Sequence, residues 1–215
     1  MIRGSEIPAS EFSEIIKEIE RAPLPMNNYR NVSGSGRSQV FGIVNRRCLP
    51  ADYSRLCWGR PYLYKLLLDF GAKHVKIPFT SITLNQNYKA APHRDKGNIG
   101  QSFLVGFGEY EGGELQLLEG DCSGSYSVNR IPMTTDFSTT LHAVNDFTGN
   151  RYSLVFYTCK RAENLPLPSV IHLNGKYLFM RGDTVIKTGL AHPLKGRKRV
   201  MTFAREEKEV VMEFP

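Results

Sequence analysis

Cysteine is scarce in this sequence. The four among 215 residues are Cys48, Cys57, Cys122 and Cys159, and no two form a C-x-x-C pair. That spacing argues against a zinc ribbon and a disulfide frame, so reduced and mostly buried thiols are expected. No apolar run reaches membrane-spanning length, and Met1-Ile2-Arg3-Gly4-Ser5-Glu6 contains no apolar signal core. The expectation is a soluble intracellular protein, cytoplasmic or nuclear, with no membrane partner. Internal repeats and low-complexity tracts are missing too, which argues against a solenoid or a disordered array.

Acidic residues are the minority charge, 21 against 28 Lys plus Arg, leaving a formal net charge of +7. A basic surplus suits a polyanionic partner, and it suits equally a soluble enzyme with a basic surface. What is abundant is glycine, at 19 residues, together with aromatic side chains. With an apolar share of 41%, this favours a globular, β-rich body with tight turns. A chain of this length is expected to form one domain, burying about 70% of its unfolded surface. A monomer is expected.

Residues 10–22 place Phe12, Ile15, Ile16 and Ile19 at helical spacing, with Ser10 as a cap and Pro23 as a stop. Residues 24–37 read as a polar loop and 39–45 as a strand. The region 51–70 reads as helical, broken at Pro61 and stopped by Gly71. From there the pattern turns to strands at 74–85, 101–107, 114–118, 138–144 and 151–158. Helices followed by a run of strands predict a mainly β fold, a sandwich or barrel buttressed by N-terminal helices. In the tail, 170–173 and 176–179 flank Asn174-Gly175, a type I′ hairpin signal, and 200–204 and 210–214 are two further candidate strands. The boundaries expected within the single domain 1–215 are helical support over 1–73, a β core over 74–160 and a β-hairpin extension over 161–215.

Three residues carry the chemistry: His93, Asp95 and His142. In an extended segment His93-Arg94-Asp95 points its imidazole and carboxylate the same way, and His142 comes from a later predicted strand. Two histidines and a carboxylate form the facial donor set of non-haem iron(II), leaving three positions for a co-substrate and O2. A surface His-Arg-Asp turn is the plainer alternative. Arg151-Tyr152-Ser153 follows, flanked by Leu154, Val155, Phe156 and Tyr157. An Arg buried on a strand's inner face requires an anion, and a carboxylate is its natural bidentate partner. Arg151 and Ser153 face the same way and can clamp the far end of a dicarboxylate whose near end chelates the metal.

His93-x-Asp95, His142 and Arg151-x-Ser153 in this order, with Gly112-Gly113-Glu114-Leu115 between the metal segments, resemble the core of the 2-oxoglutarate oxygenases. The resemblance spans residues 80–160. It implies a double-stranded β-helix core of jelly-roll or cupin type, with the Gly-Gly pair in a turn that needs positive φ. It further implies a dioxygenase that takes Fe(II), 2-oxoglutarate and O2, with ascorbate as a stimulant. Succinate and CO2 leave and a C–H bond is hydroxylated. On this likeness His93, Asp95 and His142 are both metal and catalytic residues, and Arg151 and Ser153 hold the co-substrate. Asn85 or Asn87 would hold its carboxylate; the alternative is that they close a strand.

The longer strings Asn85-Gln86-Asn87-Tyr88-Lys89, Pro92-His93-Arg94-Asp95-Lys96-Gly97-Asn98-Ile99-Gly100-Gln101-Ser102 and Gly108-Glu109-Tyr110-Glu111-Gly112-Gly113-Glu114-Leu115 are most similar to the TET/JBP branch. That branch oxidises the methyl of 5-methylcytosine or thymine in DNA, after flipping the base out of the duplex. The implied partner is duplex DNA. Arg46, Arg47, Lys96, Lys195, Arg197, Lys198 and Arg199 are candidates for its phosphates, with a solvated charged loop the alternative for the last four. The cysteine-rich zinc region of animal TET enzymes and the extra DNA-binding parts of the kinetoplastid members have no counterpart here. A prolyl-type protein hydroxylase is the second reading. That branch often uses Lys rather than Arg for the distal carboxylate. A non-catalytic β-barrel binding module is the third.

Overall fold

The computed structural model describes residues 1–26, 34–46, 49–162 and 165–190. The chain enters through β1 (Ile2–Arg3) and a 3-10 turn over Ala9–Phe12 that runs into α1 (Ser13–Arg21). Phe12, Ile15 and Ile19 are buried on one face, while Glu14 and Lys17 pair at 2.8 Å on the other. Ser10 does not cap the helix. It lies inside the 3-10 turn, and no side chain caps α1. The helix ends before Ala22, which is extended because the following Pro23 disfavours helical geometry there.

β2 (Gly34–Arg46) begins inside the segment read as a loop, and β3 (Leu49–Tyr53) occupies the start of the segment read as a helix. Pairing with β2 overrides whatever helical preference residues 51–53 have. Ser54 then caps α2 (Arg55–Gly59) by accepting the Leu56 N–H at 3.3 Å. The break at Pro61 is where the sequence placed it: Pro61 is the first residue of α3 (Pro61–His74), a position where its missing N–H costs nothing. Gly71 is not a stop. The helix continues to His74, and a Cβ at Gly71 would lie 2.7 Å from Phe79 Cζ and 2.9 Å from Phe156 Cε1. Glycine there lets α3 lie close on the sheet.

The remaining strands are β4 (Ser81–Ala90), β5 (Asn98–Gly112), β6 (Leu115–Leu117), β7 (Gly124–Tyr126), β8 (Met133–Thr135), β9 (His142–Val144) and β10 (Phe147–Cys159). β4 starts later than expected because 74 closes α3, and β9 starts later because 138–140 form a turn. The major sheet has the order β1-β8-β5-β10-β4-β2-β3 with antiparallel neighbours. The minor sheet is β7-β6-β9. His93 joins its free edge by bridging to His142.

Strand alternation divides the core in two. Phe41, Ile82, Leu84, Phe103, Val105, Phe107, Tyr152, Leu154 and Phe156 face the helices, where Phe12 stacks on Phe107 at 4.5 Å. Leu104, Met133 and Val155 face inward and meet Leu115 and Leu117 of the minor sheet. The candidate site lies on this second side, between the sheets.

A third sheet, β11 (Ser169–Leu173), β12 (Lys176–Arg181) and β13 (Thr184–Leu190), packs on α2 and α3 through Phe179 against Trp58, at 4.6 Å, and Val170. Asn174 and Gly175 both have positive φ, 48° and 73°, as a type I′ turn requires. The candidate strands at 200–204 and 210–214 lie outside the described residues. Among the described residues no helix is long and apolar enough to cross a membrane.

Candidate metal centre

His93 and His142 exchange both backbone hydrogen bonds, at 2.9 and 3.0 Å, so their side chains emerge on the same face with ring centroids 4.2 Å apart. Each imidazole is oriented in the same way. Nδ1 of His93 bonds the Ala91 carbonyl at 2.8 Å, and Nδ1 of His142 bonds the Thr140 carbonyl at 2.9 Å. A carbonyl only accepts, so Nδ1 carries the proton and the Nε2 lone pair is left for a metal. Asp95 brings Oδ1 to 3.4 Å from His93 Nε2, while its Oδ2 accepts from Asn98 Nδ2 at 3.4 Å. One donor atom from each of the three residues lies within 4.8 Å of the others.

The route to this arrangement differs from the extended segment expected. Lys96 N–H donates to the Arg94 carbonyl at 2.9 Å and Asn98 N–H to the Asp95 carbonyl at 2.9 Å, a pair of tight turns centred on the carboxylate. Asp95 N–H is held by the Phe137 carbonyl at 2.8 Å, and the Phe137 ring sits 4.7 Å from that of His142. A turn, not strand alternation, therefore brings Asp95 beside His93.

On β10, Tyr152, Leu154 and Phe156 take the helix side, which leaves Arg151 and Ser153 facing the inter-sheet space. Arg151 is 1% exposed. Its Nε donates to the Gly113 carbonyl at 3.1 Å, and its guanidinium carbon lies 5.5 Å from the Tyr110 ring centre and 5.7 Å from that of Phe147. Among the described residues no carboxylate forms an ion pair with it. Burial pushes this guanidinium below its ordinary pKa, opposed by the neighbouring Tyr110 and Glu114. The Gly-Gly turn has the positive φ expected, 75° and 67°, and a second reason for being glycine. A Cβ at Gly113 would stand 2.8 Å from Arg151 Cδ and Nε.

Ser153 sits directly opposite Asn85 in register, and its Oγ accepts from Asn85 Nδ2 at 3.0 Å, both residues buried. Asn87 does not share that arrangement. Its φ of 49° breaks the alternation, and its Oδ1 accepts the Arg151 N–H at 2.8 Å while its Nδ2 donates to Asn150 at 3.4 Å. Its side chain is engaged in fastening β10.

Tyr110 enters the sequence reading only as part of the TET/JBP-like string, with no site role assigned to it. Its hydroxyl is buried and makes no well-formed hydrogen bond, although the Arg151 guanidinium lies beside it. Burial pushes its phenol pKa up. The signal was present as a glycine four residues before it on the same strand: a Cβ at Gly106 would meet Tyr110 Oη at 2.7 Å, so the bare position makes room for the side chain. Of the candidate phosphate contacts, Lys96 is exposed in the turn after Asp95 and Arg46 ends β2. Arg47, Lys195, Arg197, Lys198 and Arg199 lie outside the described residues. Trp58, Tyr62 and Tyr64 pack with the helix-side core, His74 pairs with Glu11 at 3.2 Å, and Arg37 donates to the Leu24 carbonyl.

Two sheets closing on a metal-type donor set at one end define the double-stranded β-helix, the fold of the 2-oxoglutarate, iron(II) oxygenases. Among solved structures the chain is similar to NgTET1, captured in complex with 5mC DNA, at 16% identity and a TM-score of 0.53 over 73% of this chain and 69% of that one. A 2OG-Fe(II) oxygenase family oxidoreductase from Burkholderia pseudomallei superposes with a TM-score of 0.44 at 16% identity, covering 70% and 78% of the two chains. A Pseudomonas putida prolyl-4-hydroxylase gives 0.44 at 14% identity, covering 73% and 90%. No family model and no curated protein matches the sequence.

Proposed function

We propose that this protein is an iron(II)- and 2-oxoglutarate-dependent dioxygenase that hydroxylates a methyl-bearing DNA base, 5-methylcytosine or thymine. One observation carries the reading: a buried guanidinium that forms no ion pair with a carboxylate among the described residues faces the same inter-sheet space as three clustered metal-type donors. The first needs an anion and the second needs a cation. A dicarboxylate that chelates the metal at one end and reaches Arg151 at the other satisfies both.

The donor set fits iron(II): two imidazoles whose Nδ1 atoms are held by backbone carbonyls, and one carboxylate, with no thiolate in the group. Bound iron(II), with 2-oxoglutarate and O2, supplies the oxidising power. The chain's own residues do the holding. His93, Asp95 and His142 present the donors. Arg151 pairs with the distal carboxylate, and the Tyr110 hydroxyl beside it is free to donate to the same group. The Ser153–Asn85 pair lines the same face and is a second source of hydrogen bonds to the co-substrate. Leu115, Leu117, Val128 and Phe137 form an apolar cluster that reaches the donors through the Phe137 ring beside His142, and apolar surroundings strengthen charge interactions.

The DNA assignment draws on the TET/JBP-like strings, on the net charge of +7 and on the fold shared with NgTET1. Its test is nucleoside mass spectrometry on duplex DNA containing 5-methylcytosine and thymine, incubated with protein, iron(II), 2-oxoglutarate and ascorbate. A hydroxymethylated base that depends on 2-oxoglutarate and is lost in His142→Ala is the expected product. Unmodified DNA alongside a hydroxylated prolyl peptide would overturn the substrate class and leave the co-substrate site standing.

A further inference from the structure

Arg94, between two of the donors, is turned away from them. Its Nε donates to Glu119 Oε1 and to the Thr139 carbonyl, each at 3.0 Å, and its Nη2 reaches Glu119 Oε2. Glu119 Oε1 also accepts the Leu141 N–H at 2.7 Å, and Leu118 N–H donates to the Leu141 carbonyl at 2.9 Å. Three stretches of chain therefore converge on one carboxylate. They are the turn bearing His93 and Asp95, the residues that follow β6, and residues 139–141, which run into His142.

We propose that Glu119 and Arg94 are positioning residues of the metal centre, a clip that fixes the His93–Asp95 turn against the strand carrying His142. The inference rests on reading His93, Asp95 and His142 as a metal site. An exposed ion pair ordinarily contributes about 0–1 kcal/mol to stability. This one is about one-third exposed, with relative exposures of 37% and 36%, and it has two further properties. The guanidinium meets the carboxylate with two nitrogens, which fixes orientation as well as distance. The carboxylate also holds a backbone N–H one residue before a metal-type donor. Without the clip, the two donor segments are joined by the His93–His142 bridge and the Asp95–Phe137 hydrogen bond. The clip adds a further tie that bears on how one segment is oriented against the other. The consequence belongs to donor geometry rather than to the fold, since neither residue is buried in a core.

The test is titration of the apo full-length protein with Co(II), followed by visible absorption, beside thermal unfolding of each apo variant. Wild type binds Co(II) and His142→Ala does not. Glu119→Ala and Arg94→Ala each bind about tenfold more weakly, the size of effect seen when groups supporting metal ligands are removed. The double variant is no weaker than either single one, because both break the same clip. Glu119→Gln, which keeps an acceptor for the Leu141 N–H, falls between wild type and Glu119→Ala. Apo melting temperatures stay near wild type. Wild-type affinity in Glu119→Ala, with His142→Ala still inactive in binding, would overturn the clip and spare the metal site. Equal binding by wild type and His142→Ala would overturn the metal site and the clip together. A loss of affinity matched by a large drop in apo stability would make the pair a part of the fold, against the inference.

Discussion

A guanidinium removed from water needs an anion, and Arg151 is paired with none among the described residues. That imbalance sets the predictions at the residue scale. Arg151→Ala is expected to weaken 2-oxoglutarate binding by about 100-fold, equivalent to about 3 kcal/mol for a charge-assisted pair, with metal affinity changed far less. Calorimetric titration of each ligand separates the two, and equal losses would rule out the clamp. Gly113→Ala tests the same group from behind. Its Cβ would press on Arg151 Cδ and Nε at 2.8 Å, and its φ of 67° disfavours any side chain. The expected result is weaker 2-oxoglutarate binding with unchanged metal binding; unaltered affinity for both would show that Arg151 is not held by the turn. The clustering of His93, Asp95 and His142, the burial of Arg151 and the positive φ of the Gly-Gly turn were legible in the sequence because each residue type fits few other places. Asn87 and Tyr110 were not. The positive φ of Asn87 comes from irregular pairing that no periodicity announces, and the role of Tyr110 depends on a neighbour far along the chain.

Elements long enough to show a period were legible, and of the three-residue strands only β6 and β9, which lie within longer apolar stretches, were read. α1, α3, β5 and β10 followed from apolar spacing, and their ends shifted where tertiary pairing took over. β1, β7 and β8 have only two or three residues each, too few for alternation to register. Gly71 was misread because a glycine near a helix end looks the same whether it terminates the helix or lets it approach a sheet. Gly71→Ala is the test: inside α3 an uncrowded glycine would gain from alanine's better helix propensity, about 1 kcal/mol. A contact position would lose about 1–3 kcal/mol to overpacking against Phe79 and Phe156. A net loss of stability is the expected result in chemical denaturation, and a gain would place Gly71 out of contact with the sheet. Ser54→Ala, which removes the α2 cap, is expected to cost about 1 kcal/mol in the same assay.

At the scale of the whole molecule, the helices and the C-terminal sheet support one side of the major sheet, and the candidate metal donors and Arg151 lie on the other. Ligands that bridge the two sheets on that side should stabilise the entire chain. Saturation at about 100 times Kd adds about 2.7 kcal/mol, or roughly 5–10 °C in melting temperature for a chain of this size. Metal and 2-oxoglutarate together are expected to raise the wild-type melting temperature by this amount and to leave His142→Ala unmoved; a rise common to both would place binding elsewhere. The proposed DNA binding, if carried by the basic surplus, is expected to weaken steeply with salt in a fluorescence-anisotropy titration, as counterion release requires; salt-independent binding, or none, would count against that proposal. The central claim is that the three donors and Arg151 are the two ends of one co-substrate site. Its most direct test is anaerobic calorimetric titration of 2-oxoglutarate into the protein with and without iron(II). The account predicts tight binding only with metal present, lost in both His142→Ala and Arg151→Ala. Binding that is indifferent to the metal, or undiminished in Arg151→Ala, would contradict it.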